Sequence, residues 1–406
     1  MNEMTDHSAR RIVEALRSGI ASREVGRYFS SARPALLRTL ENTLDSTVSE
    51  RESSGMIVLG KYGEGKTHLL NTVISMADER NMAVSLVTLS KETPIDKLQT
   101  LYPKILGNTY LPGRAQPGFS HVLDGITAGS PVASAMYEYA LTALETDKLY
   151  YLLKACLGTN DEDERFLLRA DLDGDFISSA ALKKIFKRIY KETVRFNKPF
   201  SRARHTWDYI AFISRLFKEL GYGGWALLFD ETELIGRTGK NTRLKAYANI
   251  ADFLKPDRFD SVFTMFAFNS VYIPEVIEAK DEFKNLDEAE LSPETKTKIA
   301  GVLGRISDAP QLVPLGRDEI ADILKHIVEL HARAYGWKPE VDIERVLLIT
   351  EKRGHLLRTR IRTAIELLDQ LYQYGAAGDI RVGELGSQSF EEEREYAPGS
   401  GEPDFV

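Results

Sequence analysis

The sequence predicts an α/β fold in three layers, a parallel sheet between helices, with a large helical insertion and a C-terminal helical lid. Three observations point there. A short apolar run, GMIVLG (55–60), leads into a glycine-rich loop and then a helical pattern, THLLNTVISMADER (67–80). A β-branched run, AVSLVTLS (83–90), follows and completes a strand–helix–strand unit, the building block of parallel sheets. Far downstream, GGWALLFDE (223–231) is a buried-strand pattern that ends in two acids.

In chain order, residues 8–47 read as helices, with Ile12, Val13, Leu16 and Ile20 on one face. The βαβ unit follows. Residues 91–220 read as mostly helical without a convincing strand, broken by the Pro/Gly loop LPGRAQPGF (111–119). SVFTMFAFN (261–269) reads as the strand after GGWALLFDE, and QLVPL (311–315) as a fifth. Three helical patterns close the ordered part: 318–336, 341–353 and 358–375. The acidic, Gly/Pro-rich end is expected to be disordered. The expected division is N-terminal helices at 1–45, a core at 46–315 with an insertion at 95–205, a lid at 316–375 and a tail at 376–406.

Composition narrows the function. The 406 residues are 43% hydrophobic and 28% charged, ordinary for a soluble globular protein. A single cysteine, Cys156, excludes a disulfide framework and a Cys-based metal site, and reads as a core thiol. No apolar run reaches the ~18 residues that span a bilayer. The start of the chain has no secretory pattern, so the cytoplasm is the expected location and no membrane partner is expected. A net charge of −7 argues against a uniformly basic nucleic-acid coat.

Gly60-Lys61-Tyr62-Gly63-Glu64-Gly65-Lys66-Thr67 fits GxxxxGK[ST], the phosphate loop of the P-loop NTPases. Glycines let the backbone point several N–H groups at one anion, and the next helix adds its positive N-terminus. Gly60, Gly63, Glu64, Gly65, Lys66, Thr67 and His68 form the candidate ATP-binding set, with Lys66 reaching the outer phosphates and Thr67 binding Mg²⁺. His68 reads equally as a packing or capping residue. At the acidic strand end, Asp230 is the second candidate Mg²⁺ holder. Glu231 is the candidate base for the attacking water, and Glu233 a weaker alternative. The alternative for the acidic pair is a helix N-cap. Asn269, at the end of the next strand, is a candidate γ-phosphate sensor or a simple cap. Arg305 is a candidate finger for a neighbouring subunit's nucleotide, or a surface arginine. Of Arg358, Arg360 and Arg362 at the start of the last helix, Arg360 is the preferred lid contact to the γ-phosphate.

The order of these pieces resembles the AAA+ ATPases over about residues 46–375. In that family's terms Gly60–Thr67 match Walker A, Asp230-Glu231 Walker B, Asn269 sensor 1, Arg305 the arginine finger, and Arg360 or Arg358 sensor 2. One departure is the 164-residue step from Lys66 to Asp230, which makes room for the insertion. Four segments, IASREVGRYF, VLGKYGEGKTHLL, VTLSKETPIDKLQTLYPKI and LLFDETELIGR, look like the BREX-system ATP-binding proteins, bacterial phage-defence ATPases related to origin-recognition-like AAA+ proteins. The resemblance implies ATP hydrolysis with Mg²⁺, a DNA-directed antiviral role beside a helicase or other defence proteins, and a nucleotide-dependent homo-oligomer. About 30 residues follow the lid, so the winged helix that many origin-recognition ATPases add there is not expected in them.

Residues 183–204 hold nine Lys/Arg and one acid, Glu192, with Phe186, Tyr190, Phe196 and Phe200 interleaved. That pattern suits a DNA surface in which cations track phosphates and rings stack on bases. It equally suits an amphipathic helix with a solvated basic face. Asp171–Asp175 imitates a calcium loop, but Phe176 and Leu182 stand where glycine and glutamate are required. The competing function is a nucleotide-gated switch or scaffold with slow hydrolysis and a protein partner. A small-molecule phosphotransferase is less favoured, because the acidic pair suits water better than a metabolite.

Overall fold

The computed structural model describes residues 5–18, 25, 33–114, 116–255, 259–354 and 356–378. The tail beyond 378 and most of IASREVGRYF lie outside them. Helices α1 (Asp6–Arg17) and α2 (Pro34–Ser49) precede β1 (Ser54–Gly60), α3 (Lys66–Glu79) and β2 (Met82–Thr88). Next come α4 (Leu98–Gly107), β3 (Thr109–Tyr110), α5 (Pro131–Thr142), α6 (Lys148–Gly158), α7 (Glu162–Ala170), α8 (Ser179–Tyr190) and α9 (Arg202–Glu219). Then follow β4 (Gly224–Asp230), α10 (Lys240–Phe253), β5 (Val262–Asn269), α11 (Glu282–Asp287) and α12 (Pro293–Ser307). The last three helices are α13 (Arg317–Tyr335), α14 (Ile343–Arg353) and α15 (Leu357–Tyr374). No helix is long and apolar enough to cross a membrane among the described residues.

The sheet order is β1-β5-β4-β2-β3, and only β3 is antiparallel. Every residue of β4 is buried, as expected of a strand covered on both faces. Alternation splits the sheet's side chains between two cores. Ile57, Leu59, Leu227, Phe229 and Phe266 face one layer, while Val58, Leu228 and Met265 face α2 and α3. The insertion helices share the first of these cores: Leu101, Leu152, Phe186 and Phe217 pack in one continuous cluster with the strands. The 95–205 segment is therefore built onto a sheet face and has no separate core.

Two expectations about strands are corrected. QLVPL does not form a fifth strand; it makes one parallel bridge, Leu59 with Gln311. Leu59 N–H donates to Pro310 O and Leu312 N–H to Leu59 O, but Pro310 and Pro314 lack the N–H groups that would extend a ladder. Conversely, residues 91–220 do contain a strand, the two-residue β3. It pairs Thr109 with Ser85 and Tyr110 with Val84, and the Ser85 and Thr109 hydroxyls lie 2.7 Å apart.

The N-terminal helices part company. α2 packs on α3 with the core, through Leu37, Leu40 and Leu44. α1 joins the lid, where Ile12, Val13 and Leu16 pack with Ile320, Leu324, Ile327 and Leu368. Arg17 fastens it by donating to Asp369 at 2.8 Å and to the Tyr335 hydroxyl at 2.9 Å, and His331 Nε2 lies 3.0 Å from the same carboxylate. The lid is thus a four-helix unit.

Candidate nucleotide site

The loop between β1 and α3 is shaped by its glycines. Gly63 (φ 80°) and Gly65 (φ 95°) lie in the left-handed region that side chains resist. A Cβ on Gly60 would sit 3.1 Å from both Lys66 and Leu312, so that position is closely packed. Lys61 N–H donates to Glu64 Oε2 at 2.7 Å, bracing the turn. Lys66, only 6% exposed, donates through Nζ to Gly60 O at 3.0 Å. His68 continues the helix, with its carbonyl accepting from the Thr72 hydroxyl at 3.1 Å.

Residues 163 positions apart meet here: the Thr67 hydroxyl donates to Asp230 Oδ2 at 2.6 Å. Parallel strands make this possible. β1 and β4 both point their C-terminal ends to the same edge with β5 between them, the edge at which parallel α/β sheets bind ligands. Gly60 is in register with Asn269, which brings Asn269 beside the loop as well. The Asn269 side-chain oxygen accepts from Val271 N–H at 3.2 Å, so any contact to a phosphate falls to its amide nitrogen.

Glu231 follows Asp230 in a left-handed conformation (φ 55°, ψ 33°), an unfavourable shape for a non-glycine residue and one that clusters at functional sites. Its N–H donates to Asp230 Oδ1 at 2.9 Å. Burial, and then the Asp230 charge, raise its carboxyl above the ordinary range, while Lys66 and Arg358 oppose that shift. Glu233 is 4% exposed; burial pushes its carboxyl up to about 7, and its Oε2 has no hydrogen-bond partner among the described residues. A phosphate loop, a hydroxyl, two acids and a basic side chain lie together at one sheet edge, donors and acceptors of the kinds that suit a polyanion and a hard cation. The Thr67–Asp230 oxygens are the donor set that Mg²⁺ prefers.

Five arginines reach this edge or miss it. The lid's first arginine, Arg358, donates from Nη1 to the Tyr62 hydroxyl at 3.2 Å and sits 5.5 Å over that ring. Arg360, the preferred residue from sequence, does not reach the loop. It is buried in the lid, donating to Gly354 O at 3.3 Å with Glu351 3.7 Å away. Arg362 turns to Arg17 O on α1. Arg33, which the sequence pattern does not single out, donates to the loop carbonyl of Glu64 at 2.8 Å and to Val313 O. A lone arginine before Pro34 carries no local signal. Arg305 donates to Gly55 O at 2.7 Å, at the opposite end of β1 from the phosphate loop, so it does not serve the site of its own chain.

The basic stripe is mostly engaged within the insertion. Arg188 pairs with Glu164, and Arg204 and Lys198 pair with Glu145. Lys183 lies 4.7 Å over the Phe196 ring, which itself packs on Tyr151. Phe186 is buried, the Tyr190 hydroxyl donates to Lys154 O, and Phe200 stacks on His205. These rings pack within the insertion, Phe186 buried and the other three half-buried. Lys184, Lys187 and Arg195 remain exposed. In the former calcium-loop candidate, buried Asp171 is paired with buried Lys148 at 2.6 Å and accepts from Tyr209 at 2.5 Å, so its charge is consumed internally.

The fold is that of a P-loop NTPase, with β5 lying between the phosphate-loop strand β1 and the acidic strand β4. Residues 4–130 match the family model described as BREX system ATP-binding protein BrxC/D, a stretch that carries α1, the phosphate loop and β2. Among solved structures, the crystal structure of Cdc6p from Pyrobaculum aerophilum matches with 13% identity and a TM-score of 0.37, over 85% of this chain and 63% of that one. No curated protein matches.

Proposed function

We propose that the chain is an ATPase that binds ATP with Mg²⁺ at the edge formed by β1, β4 and β5 and hydrolyses the β–γ bond, in a bacterial phage-defence system of the BREX type. The observation that carries this reading is the 2.6 Å bond from Thr67 to Asp230, which supports it by bringing the two proposed Mg²⁺ holders together. Bound Mg²⁺ would be held by Thr67 and Asp230 and would neutralise charge on the outer phosphates. Lys66 exchanges Gly60 O for a phosphate oxygen. Glu231 orients water and takes its proton. Asn269 orients the same water or the γ-phosphate through its amide nitrogen. Arg358 leaves Tyr62 and closes on the γ-phosphate, carrying the lid with it. Any action of Arg305 on nucleotide is on that of a second copy.

The test is phosphate release by the purified protein with and without Mg²⁺. Wild type is expected to turn over only with Mg²⁺, and Glu231→Gln to bind ATP without turnover. Binding without Mg²⁺ dependence, or turnover by Glu231→Gln, counts against the assignment.

A nucleotide-gated switch with a protein partner is the second reading. It is favoured by the Arg358–Tyr62 contact, which already ties lid to loop, and by the packing of the stripe's aromatic rings. DNA contact then rests on exposed cations of the stripe such as Lys184, Lys187 and Arg195. Turnover measured with single- and double-stranded DNA at low salt separates the two, since unchanged rates and no binding favour the switch.

A further inference from the structure

The segment after Glu231 is clamped from outside the nucleotide pocket. Residues Thr232–Arg237 form a tight turn, and the carbonyls of Gly236 and Thr238 at its end accept from cations that lie later in the chain. Lys280 donates from Nζ to Gly236 O at 2.9 Å. Arg243, on α10, donates from Nη1 to Thr238 O at 2.5 Å. The rest of the Arg243 guanidinium grips Glu282 on α11 in a fork: Nε and Nη2 donate to Oε1 at 3.0 and 2.7 Å. Arg243 is 2% exposed and Glu282 fully buried, so neither charge is solvated. Asn285 adds a third donor to the same oxygen at 3.1 Å. One helical turn beyond Arg243, the Tyr247 hydroxyl lies 2.6 Å from that of Tyr272, three residues past Asn269.

A buried ion pair of this kind is a poor device for stability alone, because desolvation offsets much of its attraction. What it does well is fix geometry. Lys280, Glu282 and Tyr272 all follow β5, the strand that ends in Asn269. Gly236 and Thr238 follow β4, the strand that ends in Asp230-Glu231. The clamp therefore locks the two strand ends that would face the γ-phosphate into one frame, and it holds the exit from the left-handed Glu231.

The geometry points to Lys280 and Arg243 as positioning residues for the hydrolytic loop: they fix Glu231 against Asn269 by holding the carbonyls of Gly236 and Thr238. This inference rests on the ATPase reading for its catalytic consequence, but its structural content is independent of it. A misplacement of ~1 Å at a reacting group can cost ~100-fold in rate, so partial release of the loop is expected to cost ~10-fold.

The experiment uses the full chain with Lys280→Met, which removes one donor from a half-buried position, and Arg243→Lys, which keeps the charge but loses the fork. Hydrogen exchange at the Leu234 and Thr238 amides, which bond Glu231 O and Ile235 O, is expected to quicken ~10-fold in both variants, while the amides of 60–67 stay as in wild type. With ATP, turnover is expected to fall ~10-fold at unchanged ATP affinity, and Lys280→Arg to restore it. A role in stability alone would lower the melting temperature and leave turnover at 20 °C and the local exchange untouched. Unchanged exchange in Lys280→Met, a fully folded protein by circular dichroism, overturns the inference. Quickened exchange alongside wild-type turnover in Glu231→Gln leaves the clamp standing and removes the role given to Glu231.

Discussion

Replacing Arg358 by methionine separates two chemically similar side chains that lie two positions apart. Arg358 makes a charged hydrogen bond to the Tyr62 hydroxyl and a cation–π contact to its ring. A half-exposed cation–π pair contributes ~0.5–1 kcal/mol and a hydrogen bond to a charged group ~1.5 kcal/mol. Solvent exposure and the freedom of a long side chain reduce the sum, so Arg358→Met should destabilise the nucleotide-free protein by about 1 kcal/mol. For a chain this long that is a melting shift of ~1–2 °C, below the ~2–4 °C typical of 150–250 residues. The effect on chemistry should be far larger. An arginine that meets the γ-phosphate only in the transition state contributes up to ~10³-fold or more to turnover. Arg360→Met inverts the pattern: it breaks the contact to Gly354 O inside the lid, costs about 1–2 kcal/mol of stability, and slows turnover only as far as the lid loosens. The assay is steady-state phosphate release beside thermal melting for both variants, with ATP affinity measured separately. Undiminished turnover in Arg358→Met, together with a large loss in Arg360→Met, would refute the placement of the lid arginine.

Three further outcomes follow from the site. Glu233 carries a carboxyl pushed up to about 7 by burial. It binds its proton more tightly folded than unfolded, so its contribution to stability is present below its unfolded pKa of ~4.5 and is lost as pH rises through 7. Glu233→Gln should therefore unfold less steeply with rising pH between 5 and 8 than wild type does in urea titrations, and parallel curves would contradict the burial argument. Gly65→Ala puts a side chain at φ 95° with neighbours no nearer than 3.8 Å, so strain and not collision should lower ATP affinity, by ~10-fold in a binding titration. Charge reversal at Lys184, Lys187 and Arg195 should flatten any salt dependence of single-stranded DNA binding by ~0.7 for each phosphate that is no longer neutralised, and an unchanged slope would move the DNA surface elsewhere.

The parts of this molecule that are legible in its sequence are the local ones. A phosphate loop declares itself because Gly63 and Gly65 must adopt positive φ, and β4 because a strand covered on both faces reads as an unbroken apolar run. QLVPL looks equally apolar, but the prolines at 310 and 314 remove the donors that a ladder needs, and a single bridge remains. Thr109–Tyr110 is too short to show a period at all. The lid arginines are harder still. Arg358, Arg360 and Arg362 advance about 200° per step around α15, so they diverge to Tyr62, Gly354 and Arg17, and nothing in the run RTRIR says which one faces the loop. The split of α1 from α2 is decided by which hydrophobic face finds a partner, and both helices carry a similar face. Arg33, Lys280 and Arg243 act on backbone carbonyls, which leave no mark on sequence.

The central claim is that Thr67 and Asp230 serve one metal ion at one nucleotide, and a double-mutant cycle on Mg²⁺-dependent ATP turnover addresses it directly. Thr67→Val and Asp230→Asn should each abolish most Mg²⁺ dependence, and the double variant should be hardly worse than the poorer single one, because groups on the same ion lose the same interaction once. Full additivity of two losses, or turnover in both single variants at the wild-type Mg²⁺ requirement, would place the two residues in separate roles and contradict the account.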